Sequence, residues 1–97
     1  MAKELPARDK PLVLVTDDDL TVRLSLRRYL EEDGYTVAEA RNGAEALAIF
    51  EQQRPDLVLM DAEMPVMDGL TACAAIKKLP GGEETPVLMI TGLEDER

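Results

Sequence analysis

The sequence predicts a single α/β domain in which a parallel sheet carries helices on both faces. Short apolar runs of about four residues alternate with segments of helical periodicity about ten residues long. Turn residues, mostly glycine, proline, asparagine and aspartate, separate these segments. The resulting order, βαβαβαβ, requires parallel strands with right-handed crossovers, and unbroken apolar runs are typical of strands covered on both faces.

The first strand is predicted at Leu12 to Val15, after a flexible polar tail over residues 1–10. A helix is predicted from about Leu20 to Glu32, with Asp19 as its N-cap and Gly34 as the residue that ends it. Its apolar face is expected to hold Val22, Leu26, Tyr29 and Leu30. The helix also carries three arginines that are expected mostly off this face: Arg23, Arg27 and Arg28.

A weaker strand lies within Tyr35 to Ala40, and the second helix is predicted from about Gly43 to Gln53. Asn42 is its candidate N-cap, with the Glu45 side chain reaching back as in a capping box. Two large apolar residues of this helix are expected in the core, with small alanines between them: Leu47 and Phe50.

The third strand is the apolar run Leu57 to Met60, which stops at the carboxylate of Asp61. The pair Asp68-Gly69 marks a turn, and a helix from about Gly69 to Leu79 follows it. The last strand is predicted at Val87 to Ile90, and it ends at Thr91. Residues 93–97 are polar and are candidates for the start of another helix.

Composition narrows the function classes. The chain has 97 residues and a net charge of −9, which argues against nucleic-acid binding. One cysteine, Cys73, rules out an internal disulfide, and the absence of histidine removes histidine-based catalysis and histidine metal sites. No signal peptide or membrane-length apolar run is found, so we expect a cytoplasmic protein without membrane contact.

The acidic residues that follow two strands are the candidate site. Asp17 and Asp18 follow the first strand and Asp61 the third, so all three meet if these strands are neighbours. At an effective dielectric of about 20, each carboxylate pair at ~4 Å costs roughly 4 kcal/mol. In such a site either the pKa of one carboxyl group is raised or a cation binds, and a donor set of oxygens alone favours Mg²⁺ over Ca²⁺. This constellation suggests phosphoryl chemistry with a carboxylate nucleophile.

Simpler interpretations of the same residues stay open. The acidic run Asp17 to Asp19 is also what a helix N-cap requires, and Asp61 by itself is compatible with a turn residue. The matching positions of the two acidic groups at strand ends favour a shared site over two separate structural roles.

Three segments resemble the receiver domain of bacterial two-component response regulators, and the resemblance covers residues 11–97. They are Thr16 to Asp19, Asp56 to Gly69 and Pro86 to Gly92. The resemblance implies a flavodoxin-like (CheY-like) fold with strand order 2-1-3-4-5. It also implies that Asp61 is the phosphoacceptor, that Asp17, Asp18, Asp61 and the Glu63 backbone carbonyl hold Mg²⁺, and that Thr91 is the switch hydroxyl.

The family resemblance further implies a partner, a sensor histidine kinase or phosphotransfer protein that supplies the phosphoryl group from a phosphohistidine. The chain is then a signalling domain that assists its own phosphotransfer and dephosphorylation, rather than an enzyme acting on a separate substrate. Phosphorylation is expected to switch its interactions with an output domain or partner.

The sequence departs from the family pattern at its C-terminal end. The family's fifth strand, the lysine on that strand and the last helices have no counterpart here, so we expect an incomplete, truncated receiver fold. The fourth strand is then an exposed edge, and a homodimer through the exposed surface is a possible consequence.

Two other functions are compatible with this fold. One is a receiver-fold interaction or dimerisation module that is never phosphorylated, which loss of an acidic-site residue would favour. The other is a metal-dependent phosphatase, which requires Asp-x-Asp where this chain has Asp61-Ala62-Glu63.

Overall fold

The computed structural model describes residues 10–90 and confirms the predicted α/β architecture. The elements in chain order are β1 (Leu12–Thr16), α1 (Leu20–Glu32), β2 (Thr36–Ala40), α2 (Gly43–Gln53), β3 (Leu57–Met60), α3 (Gly69–Lys77), a 3-10 turn (Gly82–Glu84) and β4 (Val87–Met89). Within these residues the strands form one parallel four-stranded sheet in the order β2-β1-β3-β4. This order agrees with the first four strands of the order that the family resemblance implied.

Strand β1 lies in the middle of the sheet and is buried along its whole length. It pairs with β2 on one side and with β3 on the other, in a register that places Thr16 opposite both Ala40 and Met60. The uninterrupted apolar run of β1 is therefore explained by cover on both faces. Because β1 pairs in parallel with both β2 and β3, the carboxyl ends of these three strands lie at the same edge of the sheet.

Helices pack on both faces of the sheet, as predicted. On one face, α2 and α3 bury Phe50 and Ile76 against Leu14, Val58 and Met60 of the strands. On the other face, the buried side chains belong to β1 and β2: Val13, Val15 and Val37. Partly buried leucines of α1 and β3 pack against them: Leu26, Leu30, Leu57 and Leu59. The core is aliphatic apart from Phe50, as the composition requires.

The helix caps explain where the helices begin and end. The Asp19 carboxylate accepts a hydrogen bond from the Thr21 N–H, and Gly34, at φ 93°, follows the C-cap of α1. The Asn42 side chain caps α2 through the Glu45 N–H. The predicted capping box differs in one bond, because the Glu45 carboxylate accepts from the N–H of Arg41 rather than from that of Asn42.

The apolar face predicted for α1 was wrong at two positions. Tyr29 is 72% exposed, whereas Arg23, expected mostly off the face, is only 8% exposed. Arg23, Leu26 and Leu30 follow i, i+3, i+7 spacing and point toward the sheet, and the position of Tyr29 is turned to solvent. Arg23 is accommodated because an acidic residue of β2, Glu39, lies beside it.

Smaller differences concern the ends of the later elements. Helix α3 ends at Lys77, two residues before the predicted end, because the N–H groups of Lys78 and Leu79 bond three residues back. Strand β4 ends at Met89, although the Ile90 N–H still donates to the Met60 carbonyl. In the described part of the chain β4 is one of the two edge strands of the sheet, and Leu88 on it is 53% exposed.

Several predictions fall outside the described residues. These are the tail before Lys10, the residue Thr91 and the candidate helix at 93–97. Over residues 10–90, none of the helices has the length and apolar character that crossing a membrane requires.

Candidate functional site

The ends of β1 and β3 bring three carboxylates together, as the sequence predicted. The Asp61 N–H donates to the Thr16 carbonyl at 2.9 Å, which extends the β1–β3 pairing past the strand ends. Carboxylate oxygens of Asp17, Asp18 and Asp61 all lie within 4.8 Å of one another. The convergence follows from the sheet order, since these residues come from neighbouring strand ends.

Asp17 is the buried member of this acidic cluster, and its side chain is held in place. Its N–H donates to the Ala40 carbonyl at 3.1 Å, and its Oδ1 accepts from the Asp19 N–H at 2.8 Å. Burial raises the pKa of Asp17 from 3.8 to about 6. The Asp19 N–H opposes this rise in the pKa, and the charges of Asp61 and Asp18 add to it.

The three consecutive aspartates, Asp17 to Asp19, therefore have two different roles. Asp19 caps α1 and offers no carboxylate oxygen to the cluster, whereas Asp17 and Asp18 do. The capping interpretation of this acidic run was correct for Asp19 only. Asp17 is buried, Asp18 exposed and Asp61 partly exposed, so the cluster opens to solvent on one side.

The loop after β3 holds Asp61 from the other side. The main-chain N–H of Glu63 donates to Asp61 Oδ1 at 3.1 Å, and the Gly69 N–H donates to the Ala62 carbonyl at 3.0 Å. A Cβ at residue 69 would lie 2.1 Å from the Asp61 carbonyl oxygen, so only glycine fits there. The Asp68 side chain caps α3 and fixes the start of this helix beside the site.

The same loop docks on the beginning of α2. The Met67 carbonyl accepts from the Gly43 N–H at 3.1 Å, and a Cβ at Gly43 would come within 2.6 Å of that oxygen. Val66 has φ 72°, which is unusual for a β-branched residue, and the Met67 N–H bonds back to the Pro65 carbonyl across it. The loop is thus tightly folded between β3 and α2.

The donor set of the acidic cluster fits a hard divalent cation. Carboxylate oxygens are the ligands that Mg²⁺ prefers in proteins. The three carboxylate oxygens lie within 4.8 Å of one another, so Asp17, Asp18 and Asp61 could together hold one such ion. Without a cation, like charges at this range oppose one another, which the raised pKa of Asp17 also reflects.

The position of Arg23 beside this cluster was not predicted from the sequence. The buried Arg23 guanidinium donates from Nη1 to the Asp17 carbonyl at 2.8 Å and from Nε to Glu39 at 3.0 Å. Its spacing with Leu26 and Leu30 was a signal that it faces the sheet. The signal was weak because its partner, Glu39, comes from a strand distant in sequence.

Comparison with known proteins gives a consistent result. The family model of the response regulator receiver domain matches residues 13–97. The response regulator MprA of Mycobacterium sp. (strain KMS) is 44% identical over 79 residues, covering 81% of this chain and 34% of that protein. This chain thus spans about a third of the length of the curated relatives it matches.

Solved structures are similar over most of the described fold. Chemotaxis response regulator CheY4 of Vibrio cholerae matches with a TM-score of 0.80 at 35% identity, covering 82% of this chain and 67% of that one. A CheY-like response regulator receiver domain protein of Methanospirillum hungatei JF-1 matches with a TM-score of 0.82 at 31% identity, covering 89% and 70%.

Proposed function

Since the chain belongs to the response regulator receiver domain family, whose members serve phosphorylation-dependent signalling, we propose that Asp61 is its phosphoacceptor. The observation that carries the proposal is the acidic cluster, in which Asp61 lies at a strand end beside Asp17 and Asp18. Asp61 is partly exposed, so a donor can reach its carboxylate, whereas Asp17 is buried.

We propose that Asp17, Asp18, Asp61 and the backbone carbonyl of Glu63 hold Mg²⁺. When bound, Mg²⁺ would offset the negative charge of the incoming phosphoryl group. The chain's own contribution is positional. The Asp19 N–H orients the Asp17 carboxylate, and the Glu63 N–H orients Asp61 Oδ1, so the carboxylates are arranged before the donor arrives.

The proposed reaction transfers a phosphoryl group from a phosphohistidine of a sensor histidine kinase or phosphotransfer protein. An Asp61 carboxylate oxygen forms a bond to phosphorus while the phosphorus–nitrogen bond of the donor breaks. The leaving imidazole keeps the electron pair of that bond. Thr91 is proposed to bond the transferred group as the switch hydroxyl, and the domain is proposed to assist its own dephosphorylation.

Phosphorylation of Asp61 is proposed to switch contacts with an output domain or partner, through a shift between two conformations. The cytoplasmic location remains a prediction, and it is consistent with a sensor histidine kinase as the partner. The interaction module that is never phosphorylated has less support, because Asp17, Asp18 and Asp61 are all present and adjacent. The phosphatase has less support because Glu63 replaces the second aspartate of its motif.

We also propose that the exposed β4 edge allows self-association. Leu88 on this edge is 53% exposed, and no strand within residues 10–90 pairs with the outer side of β4, so that a second chain can pair there. Sedimentation of the chain beside Leu88→Lys tests the proposal, since a charge on the edge opposes pairing. A wild-type chain that sediments as a monomer at all concentrations would refute it.

The phosphoacceptor proposal is tested by intact mass after incubation with Mg²⁺ and a small acyl-phosphate donor. The wild-type chain is expected to gain one phosphoryl group, and Asp61→Asn is expected to gain none. Asp33→Asn is the matched control, because it removes an exposed carboxylate outside the cluster. A folded wild-type chain that gains nothing would favour the module that acts by association only.

A further inference from the structure

Arg23 is a buried cation that contacts the acidic cluster through the main chain. It is 8% exposed, and its Nη1 donates to the carbonyl oxygen of Asp17 at 2.8 Å. Its Nε donates to Glu39 Oε1 at 3.0 Å, so the guanidinium joins α1 to the ends of β1 and β2. Burying a guanidinium is costly unless its donors are bonded, and here two acceptors meet it.

Glu39 is the residue that keeps Arg23 in this position. Its other oxygen, Oε2, accepts from Arg27 Nη1 at 2.7 Å, so two arginines share one carboxylate. The hydrogen bonds from Arg27 and Arg23 hold the pKa of Glu39 below its usual value, against the opposing effect of its partial burial. Glu39 therefore stays ionised at neutral pH and can orient the guanidinium.

Asp17 is thereby held at three polar atoms. Its N–H bonds to Ala40, its carboxylate Oδ1 accepts from the Asp19 N–H, and its carbonyl accepts from Arg23. Of these three contacts, only the one to Arg23 comes from a side chain. The direction of the Asp17 carboxylate depends on the main-chain geometry at this residue, which the Arg23 hydrogen bond restrains on the carbonyl side.

We infer that Arg23 is a positioning residue of the acidic cluster: it holds the Asp17 main chain so that the Asp17 carboxylate can bind a divalent cation, and Glu39 orients Arg23 for this. The inference rests on the proposed function, because it assumes that the cluster binds Mg²⁺. It concerns two residues that do not themselves offer ligand atoms to the cation.

Positioning and simple electrostatics predict opposite signs for the loss of Arg23. A positive charge near the cluster repels a cation, so its removal would tighten Mg²⁺ binding if charge alone mattered. If Arg23 acts by holding Asp17, its removal weakens Mg²⁺ binding, as loss of residues that support metal ligands does, by roughly tenfold or more. The sign of the change therefore separates the two effects.

The test measures the Mg²⁺ dissociation constant of the intact chain by calorimetry for the wild type and Arg23→Met. We expect the dissociation constant to rise about tenfold. Arg28→Met is the matched control, since Arg28 also lies on α1 but its side chain is 83% exposed and pairs with Glu32. An unchanged or lower dissociation constant in Arg23→Met, with the fold intact by circular dichroism, would overturn the inference.

A second readout separates positioning from general damage to the fold. In the acyl-phosphate reaction, Arg23→Met is expected to need about ten times more Mg²⁺ for half-maximal phosphorylation, with a near-normal rate at saturating Mg²⁺. A lower maximal rate at an unchanged half-saturating concentration would contradict the inference. A wild type that binds no Mg²⁺ would instead refute the metal site of the proposed function.

Glu39→Gln provides a variant that keeps Arg23 and all the acidic ligands. It is expected to weaken Mg²⁺ binding several-fold, although the loss of a negative charge alone would also weaken it. Arg23→Lys therefore carries the test if Arg23→Met does not fold, because it keeps the charge but cannot bond both acceptors as the planar guanidinium does. Unchanged Mg²⁺ binding in Arg23→Lys would overturn the inference. In the double variant, Glu39→Gln is expected to add nothing to Arg23→Met, because Glu39 acts through Arg23. Independent, additive effects of the two substitutions would overturn the part assigned to Glu39.

Discussion

The Cα atom of Gly69 packs directly on the main-chain carbonyl of Asp61. A Cβ at residue 69 would lie 2.1 Å from that oxygen and 2.9 Å from the Cα of Ala62. Both obstacles are backbone atoms, which cannot rotate away as a flexible side chain could. Gly69, the first residue of α3, therefore restricts where the Asp61 main chain can lie after the end of β3.

Replacing Gly69 by alanine is expected to displace Asp61 and destabilise the fold. Overpacking of this kind costs about 1–3 kcal/mol of unfolding free energy. Urea unfolding measures the loss, and the acyl-phosphate reaction is expected to slow in parallel.

Gly34→Ala is the control for Gly69→Ala. Gly34 also needs glycine, for its φ of 93°, but a Cβ there meets no atom within 4 Å. It is expected to lose about 1 kcal/mol of stability while phosphorylation keeps its normal rate. Equal effects of both substitutions on phosphorylation would contradict the importance of the Gly69–Asp61 contact.

The pH dependence of stability is expected to report the burial of Asp17. Because the folded-state pKa of Asp17 is raised to about 6, the folded protein binds this proton more tightly than the unfolded chain does. The stabilising contribution is present below about pH 4 and is lost as the pH rises through about 6.

The measurement is urea unfolding across this pH range, with a chelator present. The stability of the wild type relative to Asp17→Asn is expected to fall between about pH 4 and 6, since only the wild type titrates at residue 17. Asp33→Asn corrects for the loss of one negative charge. Parallel curves for the wild type and Asp17→Asn would contradict the raised pKa.

Val66 offers a test of backbone strain in the loop that follows Asp61. A left-handed conformation costs a residue with a Cβ roughly 1–2 kcal/mol, and asparagine tolerates it better. Val66→Asn is therefore expected to stabilise the fold by about 1 kcal/mol, measured by urea unfolding. Val66 is 81% exposed, so little packing is lost.

Val66→Thr is the control that separates strain from polarity. Threonine has the same branched shape as valine but a polar surface, so no gain is expected from it. If both substitutions stabilise the fold equally, solvation of the loop rather than backbone strain is responsible.

The hydroxyl group of Thr16 is expected to lower the free energy of unfolding. Thr16 is fully buried, and its Oγ1 has no hydrogen-bond partner among the described residues. Thr16→Val keeps the shape and removes the polar atom, which is expected to raise the unfolding free energy by about 1 kcal/mol. Thr16→Ser, which keeps the hydroxyl and removes a methyl group, is expected to lower it; a destabilised Thr16→Val would contradict the account.

Local signals in the sequence predicted most of the fold. The apolar runs gave the strand positions, and side-chain caps such as Asp19 and Asn42 gave the helix starts. The convergence of Asp17 and Asp61 followed from parallel pairing of their strands. The strand and cap predictions succeeded because each depends on periodicity or on residues adjacent in the chain. The convergence succeeded because the βαβ alternation requires parallel strands, whose carboxyl ends share one edge of the sheet.

Contacts between particular side chains or backbone atoms of distant segments were not predicted. The burial of Arg23 requires Glu39 on β2, and the exposure of Tyr29 follows from how α1 is turned against the sheet. The close approach of Gly69 to Asp61 was visible in the sequence only as a turn signal. Thr91 lies outside the described residues, so its part in the site stays a prediction.

The central position of β1 has a consequence for how the protein folds and unfolds. The carboxylates meet only after β1 and β3, which are far apart in the sequence, have paired. Because closing so long a loop is costly, we expect the carboxylates to meet only after the transition state for folding, so that a cation held between them acts little on the folding rate. Mg²⁺ would then protect the native state mainly by slowing its unfolding.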